Sequence, residues 1–255
     1  MASPTDDELE KQRDALFLSD TAPLRFEFDD QVAAVLPDML RRSIPGYSTL
    51  LQMLSVLAGE HLPAGGVVYD LGCSLGAASL AVRHGLGARQ ARIIAIDNSK
   101  AMVERCRAVI SADSGLCPVD VQLGDIASLE LAPCDLVVAN FSLQFVPPSC
   151  RERVLSEIYA KLKPGGLFVL SEKTCASVAR EQAFFQQTHD AFRRSNGYSQ
   201  IELSRKREAL EKVLLPLSAA DQEAMLKRCG FKCTLWFRCL QFVSWVGQKP
   251  KAPGP

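Results

Sequence analysis

The sequence predicts an α/β fold built on a doubly wound parallel sheet, and three observations carry that prediction. First, the apolar run Val67-Val68-Tyr69-Asp70-Leu71 enters the turn Gly72-Cys73-Ser74-Leu75-Gly76, and a helix opens at Ala77. Second, the β-branched run from Ala91 to Ile96 ends in Asp97-Asn98-Ser99. Third, apolar strands and amphipathic helices alternate from residue 67 to residue 172, as they do in crossover-connected parallel sheets. At 255 residues the chain is long enough for one well-buried domain with additions.

The elements follow in order. Residues 1–25 form an acidic leader without an apolar core, so it is no secretory signal and is expected to be flexible and peripheral. The single domain is expected over 26–248. Val32, Val35, Leu36, Met39 and Leu40 recur at helical spacing and stop at Ser43-Ile44-Pro45-Gly46; a second helix opens at Tyr47. Strand 67–71, a helix, strand 91–96, helix 99–111, strands 119–123 and 135–140, helix 149–162 and strand 166–172 come next. Lys163-Pro164-Gly165-Gly166 reads as the turn into that last strand. Residues 174–215 become polar and helical, too long for a simple crossover, and are expected to form a lid or a partner surface. Residues 231–237 and 241–246 read as two strands joined by a short turn. Such an antiparallel pair closing a parallel sheet is typical of the class I methyltransferase-like fold. The Pro-rich tail, 249–255, is expected to be disordered.

Composition limits the function. Lys plus Arg and Asp plus Glu are both 29, giving zero formal charge, so a direct grip on a nucleic-acid backbone is disfavoured. Nine scattered cysteines without a C-x-x-C pair argue against disulfides and zinc, and no apolar run reaches membrane-spanning length. A reduced, cytoplasmic protein without a metal is expected.

The strand ends carry the chemistry. Gly72 lets the backbone approach a ligand, and Gly76 is expected to let the helix pack on the strand. Asp70 before the turn suits the cationic amino and sulfonium groups of S-adenosylmethionine better than a pyrophosphate. Asp97 can accept both ribose hydroxyls; the alternative is helix capping, which Ser99 can do without it. Asp125, after Gly124, can accept the adenine amino proton while Ile126 lies against the ring; an ordinary strand-end aspartate is the alternative. Asn140 ends the fourth strand opposite the reactive sulfonium. Its context lacks the Asn/Asp-Pro-Pro-aromatic motif of amino-group methyltransferases. His61, His84 and His189 read as packing or surface residues. The cations Arg193, Arg194, Arg205, Lys206 and Arg207 form either a solvated helix face or a fork for a carboxylate, and spacing does not choose.

Larger blocks are more specific. Phe28-Asp29-Asp30-Gln31-Val32-Ala33, Leu36-Pro37-Asp38-Met39, Arg42-Ser43-Ile44-Pro45-Gly46-Tyr47, Tyr69 to Ala78, Ile94 to Ser99, Asn140 to Phe145, Leu170-Ser171-Glu172-Lys173, Asn196-Gly197-Tyr198-Ser199 and Leu235-Trp236-Phe237 resemble the bacterial carboxy-S-adenosyl-L-methionine synthases. The resemblance runs from about Phe26 to Gly247. It implies an enzyme that takes S-adenosylmethionine and prephenate to carboxy-S-adenosylmethionine and phenylpyruvate. The product would pass to a separate tRNA carboxymethyltransferase making wobble uridine 5-oxyacetic acid. It also implies a homodimer, and a ligand site of Tyr47, Gly72, Cys73, Ser74, Asp97, Asn98, Asp125, Ile126, Asn140 and Arg207, the last gripping the transferred carboxylate. Ser74 replaces the usual third glycine of the generic turn but matches this family. The alternatives are a conventional S-adenosylmethionine-dependent methyltransferase and a non-catalytic ligand-binding module.

Overall fold

The computed structural model describes residues 13–18, 23 and 25–251. Helices α1 (Asp30–Ser43) and α2 (Tyr47–His61) precede the sheet, as the apolar spacing predicts. Then come β1 (Gly66–Leu71), α3 (Ala77–Leu86), β2 (Ala91–Asp97), α4 (Lys100–Ala112), β3 (Val119–Leu123), β4 (Cys134–Asn140), α5 (Pro148–Lys161) and β5 (Leu162–Lys173). The segment expected to be helical holds α6 (Ala179–Ser195) and α7 (Gln200–Leu210), followed by α8 (Ala219–Arg228), β6 (Lys232–Cys239) and β7 (Phe242–Gln248).

The seven strands lie in the order β3-β2-β1-β4-β5-β7-β6. β1 to β5 are parallel, and β7 inserts antiparallel between β5 and β6. The strand order reverses between β1 and β4, and in such sheets the crevice outside the carboxyl ends of the strands is where ligands bind.

Alternation along each strand divides the core. Tyr69, Val137, Phe168 and Leu170 face α5 and α8, with Leu155 and Leu226 fully buried among them. Val68, Val138 and Val169 face Leu54 and Ala58 of α2 and Val82 of α3. Each such aliphatic side chain contributes roughly 1.5–3 kcal/mol by leaving water.

Four expectations need correction. Gly76 lets α3 approach α4 rather than a strand: a Cβ there would lie 2.9 Å from Cys106 Sγ. The turn 163–166 is absorbed into β5, which begins at Leu162; the extra residues are taken up by a register shift against β4, with Gly165 at φ 85°. The leader is not wholly peripheral, since Asp14 is 2% exposed and Phe17 packs at 1% in a cluster with Phe26, Leu36 and Met102. At the other end Lys249 is tied in: its N–H donates to Gly166 O at 3.0 Å and its carbonyl accepts from Gly165 N at 2.9 Å. The remainder of the expected leader and tail, residues 1–12, 19–22, 24 and 252–255, lies outside the described residues.

All nine cysteines are free thiols. Among the described residues no group of side chains could hold a metal ion, and no helix is long and apolar enough to cross a membrane.

Candidate functional site

A cavity of about 770 Å³ opens at the carboxyl ends of the strands and is walled by α1, α2, α6 and α7. Its size falls in the range of small-molecule sites. Its floor is the turn after β1. Gly72 takes φ 74°, and a Cβ there would collide with Ser142 Cβ, so glycine is required by the neighbouring loop as well as by the turn. Ser74, in place of a third glycine, still adopts φ 50°. Its N–H donates to Asp97 Oδ2 at 2.9 Å, which helps hold a conformation that non-glycine residues rarely adopt. Cys73 is buried; hydrogen bonding to Cys106, and then burial, push its thiol far up, so it is a packing residue rather than a nucleophile.

The acidic residues stand at three strand ends. Asp70 is 2% exposed; its Oδ2 accepts from Ser79 Oγ at 2.6 Å, while Oδ1 is buried without a partner. Burial, opposed by the Ser79 hydrogen bonds, raises its pKa to about 6. Asp97 accepts from Ser74 N and Ser99 N, each at 2.9 Å, and its pKa is raised by burial. Capping of α4 falls to Ser99, whose Oγ accepts from Met102 N at 3.2 Å. The two carboxylate oxygens of Asp97 keep further lone pairs for a ligand diol. Asp125 Oδ1 accepts from Ala127 N at 2.9 Å, fixing the short turn that places Ile126 in the cavity wall.

Tyr47, Asn98 and Asn140 also line the cavity. Tyr47 opens α2 behind Gly46, at φ 78°, and its hydroxyl is pushed well above the usual range by burial and then by Asp70. Thus nine of the ten expected residues, all but Arg207, meet around one space.

Arg207 does not line it. Helix α7 turns Lys206 inward and leaves Arg207 54% exposed in its side chain, with Nη2 donating to Asp190 Oδ2 at 2.8 Å. The cations lining the cavity are Arg41, Lys173, Arg193 and Lys206. Arg41 is 59% exposed in its side chain and lies 3.8 Å from Asp38 Oδ1. Arg193 is buried and paired with Asp190. Lys206 sits 3.5 Å from Asp14 Oδ2 and 3.2 Å from Ser43 Oγ, and burial lowers its pKa to about 8. His189 lines the cavity as a fixed neutral ring: Nε2 donates to Ser43 O at 2.7 Å, and burial, with Arg193 second, lowers its pKa to about 3.

Sequence reasoning missed Lys173 and Asp14. Lys173 ends β5 as Asn140 ends β4, so the strand-end logic applied to the other residues reaches it. Nothing local marks Asp14, whose partners Tyr198 and Lys206 are far along the chain.

The geometry can be set beside known proteins. A sequence profile described as "Methyltransferase domain" matches residues 68–166. A carboxy-S-adenosyl-L-methionine synthase from Marinobacter nauticus is 44% identical over 241 residues, covering 94% of this chain and 96% of the relative. One from Shigella boydii serotype 4 is 47% identical over 239 residues, covering 93% and 97%. A solved S-adenosylmethionine-dependent methyltransferase from Aquifex aeolicus superposes with a TM-score of 0.58 at 14% identity, over 88% of this chain and 100% of that one; it bears on the fold alone.

The sheet order, the glycine turn and the acidic strand ends define a class I S-adenosylmethionine-dependent methyltransferase-like protein. Within that class, the extent and identity of the sequence matches decide the family. The chain belongs to the carboxy-S-adenosyl-L-methionine synthases.

Proposed function

We propose that the protein makes carboxy-S-adenosylmethionine and phenylpyruvate from S-adenosylmethionine and prephenate. The observation that supports this best is the order of charge along one cavity. Asp70, Asp97 and Asp125 gather at the β1–β3 side, while Lys173, Arg193 and Lys206 stand on the β5, α6 and α7 side. A cationic nucleoside fits the first group and an acid the second.

In this reading Asp97 accepts from the ribose hydroxyls, and Asp125 accepts from the adenine amino group over Ile126. The unpartnered oxygen of Asp70 receives the cationic amino acid end. S-adenosylmethionine, consumed as a substrate, supplies a sulfonium that stabilises negative charge on the adjacent carbon. The chain's part is to hold its methyl group toward Asn140 and to seat the acid against the cations without bulk water. In this reading Arg207 grips the transferred carboxylate, which requires release from Asp190 or placement against a second subunit.

The rest of the reading follows from the resemblance. The protein acts in the cytoplasm as a homodimer, binds no nucleic acid directly, and hands its product to a tRNA carboxymethyltransferase making wobble uridine 5-oxyacetic acid. The exposed Val178, Phe184 and Ile201 around α6 and α7 offer apolar surface for the dimer. The test is mass spectrometry of the nucleoside that co-purifies with the protein. A carboxylated S-adenosylmethionine supports the proposal, S-adenosylhomocysteine favours ordinary methyl transfer, and no ligand with no turnover favours a binding module.

A further inference from the structure

The four cations of the cavity are not equivalent: Arg41 has Asp38 Oδ1 at 3.8 Å. Arg193 is committed to Asp190, and Lys206 has Asp14 and Ser43 within reach. Lys173 donates its backbone N–H to Gln144 Oε1 at 2.9 Å, but its ammonium has no hydrogen-bond or ion-pair partner among the described residues.

Strand register places that free amine. Asp70 pairs with Val138 of β4, and Asn140 lies two residues further on, on the same face. Asn140 in turn pairs with Ser171 of β5, and Lys173 lies two residues beyond that, again on the same face. Asp70, Asn140 and Lys173 therefore step across three strand ends toward one space, and all three line the cavity. The charged and titratable groups around Lys173 are His189, Asp190 and Arg193 on α6 and Arg207 on α7, with Lys206 on another wall of the same cavity.

Resting on the function proposed above, we propose that Lys173 is the proton carrier of the reaction, protonating the hydroxyl that leaves the acid and then taking the proton that the S-methyl group gives up. The balance closes within the two substrates. In prephenate the bond from the ring carbon to its carboxylate breaks, and its electron pair completes the aromatic ring as the ring hydroxyl departs. The Lys173 ammonium supplies the proton that turns this hydroxide into water, and carbon dioxide is released. The neutral amine then accepts a proton from the S-methyl carbon. The C–H electron pair forms the new bond to carbon dioxide, and Lys173 returns to the ammonium. No oxidant or reductant enters.

Only a lysine among the cavity cations suits this. A guanidinium stays protonated, whereas an amine can give and take a proton. Burial, with Arg193 second, lowers the Lys173 pKa to about 8, close to the range where both forms are populated.

The test compares wild type with Lys173→Arg and Lys173→Met. Lys173→Arg keeps the positive charge and removes the proton transfer. Calorimetry should find S-adenosylmethionine affinity within about threefold of wild type, while turnover with prephenate falls at least a hundredfold in both variants, within the usual span for general acid–base groups. A second readout is independent of turnover and of the variants' activity. In protein carrying 13Cε-lysine, the resonance absent from Lys173→Arg should titrate near pH 8. Wild type that makes no carboxylated product overturns both the function and the role of Lys173. Wild type that does, together with Lys173→Arg turning over within threefold or a Lys173 titration above about pH 10, overturns the role of Lys173 alone.

Discussion

Ser79 Oγ donates to Asp70 Oδ2 at 2.6 Å and leaves Oδ1 buried without a partner, so one residue of β1 is half satisfied by the protein and half reserved. Its pKa is raised from 3.8 to about 6, so ionising it costs stability that is intact below pH 3.8 and lost as pH rises through about 6. Asp70→Asn should therefore stabilise the ligand-free protein at pH 7.5 by about 1–3 kcal/mol, seen as a higher melting temperature. The same variant should weaken S-adenosylmethionine binding at least tenfold in calorimetry. In the wild type, affinity should fall as pH drops below about 6. A variant that melts no higher and binds as well removes Asp70 from the cation site.

Asp97 has two duties. Asp97→Ala should lower nucleoside affinity roughly ten- to hundredfold, the loss of hydrogen bonds worth about 1.5–3 kcal/mol. It should also cost about 1–2 kcal/mol of stability, because the N–H groups of Ser74 and Ser99 lose their acceptor. Paired calorimetric and denaturation measurements separate the two effects. Unchanged binding to a folded variant would remove Asp97 from the ribose site.

Arg207 separates the chain-alone geometry from the proposed function. As an exposed partner of Asp190 it contributes at most about 1 kcal/mol, and Arg207→Ala should leave stability and plain S-adenosylmethionine affinity nearly unchanged. As the carboxylate receptor it should lose preference for the carboxylated ligand, with Arg207→Lys restoring only part, since a point charge lacks the parallel fork. A ligand ratio constant across all three proteins shows that Arg207 is not the receptor.

Light scattering at micromolar concentration should give a dimer. Phe184→Glu, which places a charge on the exposed apolar surface of α6, should shift it toward monomer. A wild-type monomer at that concentration contradicts the dimer.

Much of this was legible in the sequence because strand ends announce themselves. Asp70, Asp97, Asp125 and Asn140 each follow an apolar run whose period identifies a strand, and a parallel sheet brings such ends together. The helices 174–215 were legible as helices but not in their facing. Whether Lys206 or Arg207 turns inward depends on how α7 packs, and adjacent residues on a helix point about 100° apart. Asp14 was illegible for a related reason: its burial is set by Tyr198 and Lys206, contacts across most of the chain that no local pattern encodes. Gly76 shows the limit of motif logic. Close packing at this glycine was expected, but the neighbour that demands a missing Cβ is Cys106 of α4 rather than a strand.

The most direct test of the central claim is to follow one carbon. The protein is given S-adenosylmethionine and prephenate labelled with 13C at the ring carboxylate, and the nucleoside product is weighed by mass spectrometry. The expected product is heavier than S-adenosylmethionine by one carboxyl group that carries the label, with unlabelled phenylpyruvate formed in equal amount. S-adenosylhomocysteine as the nucleoside product, or a carboxylated product without the label, would contradict it.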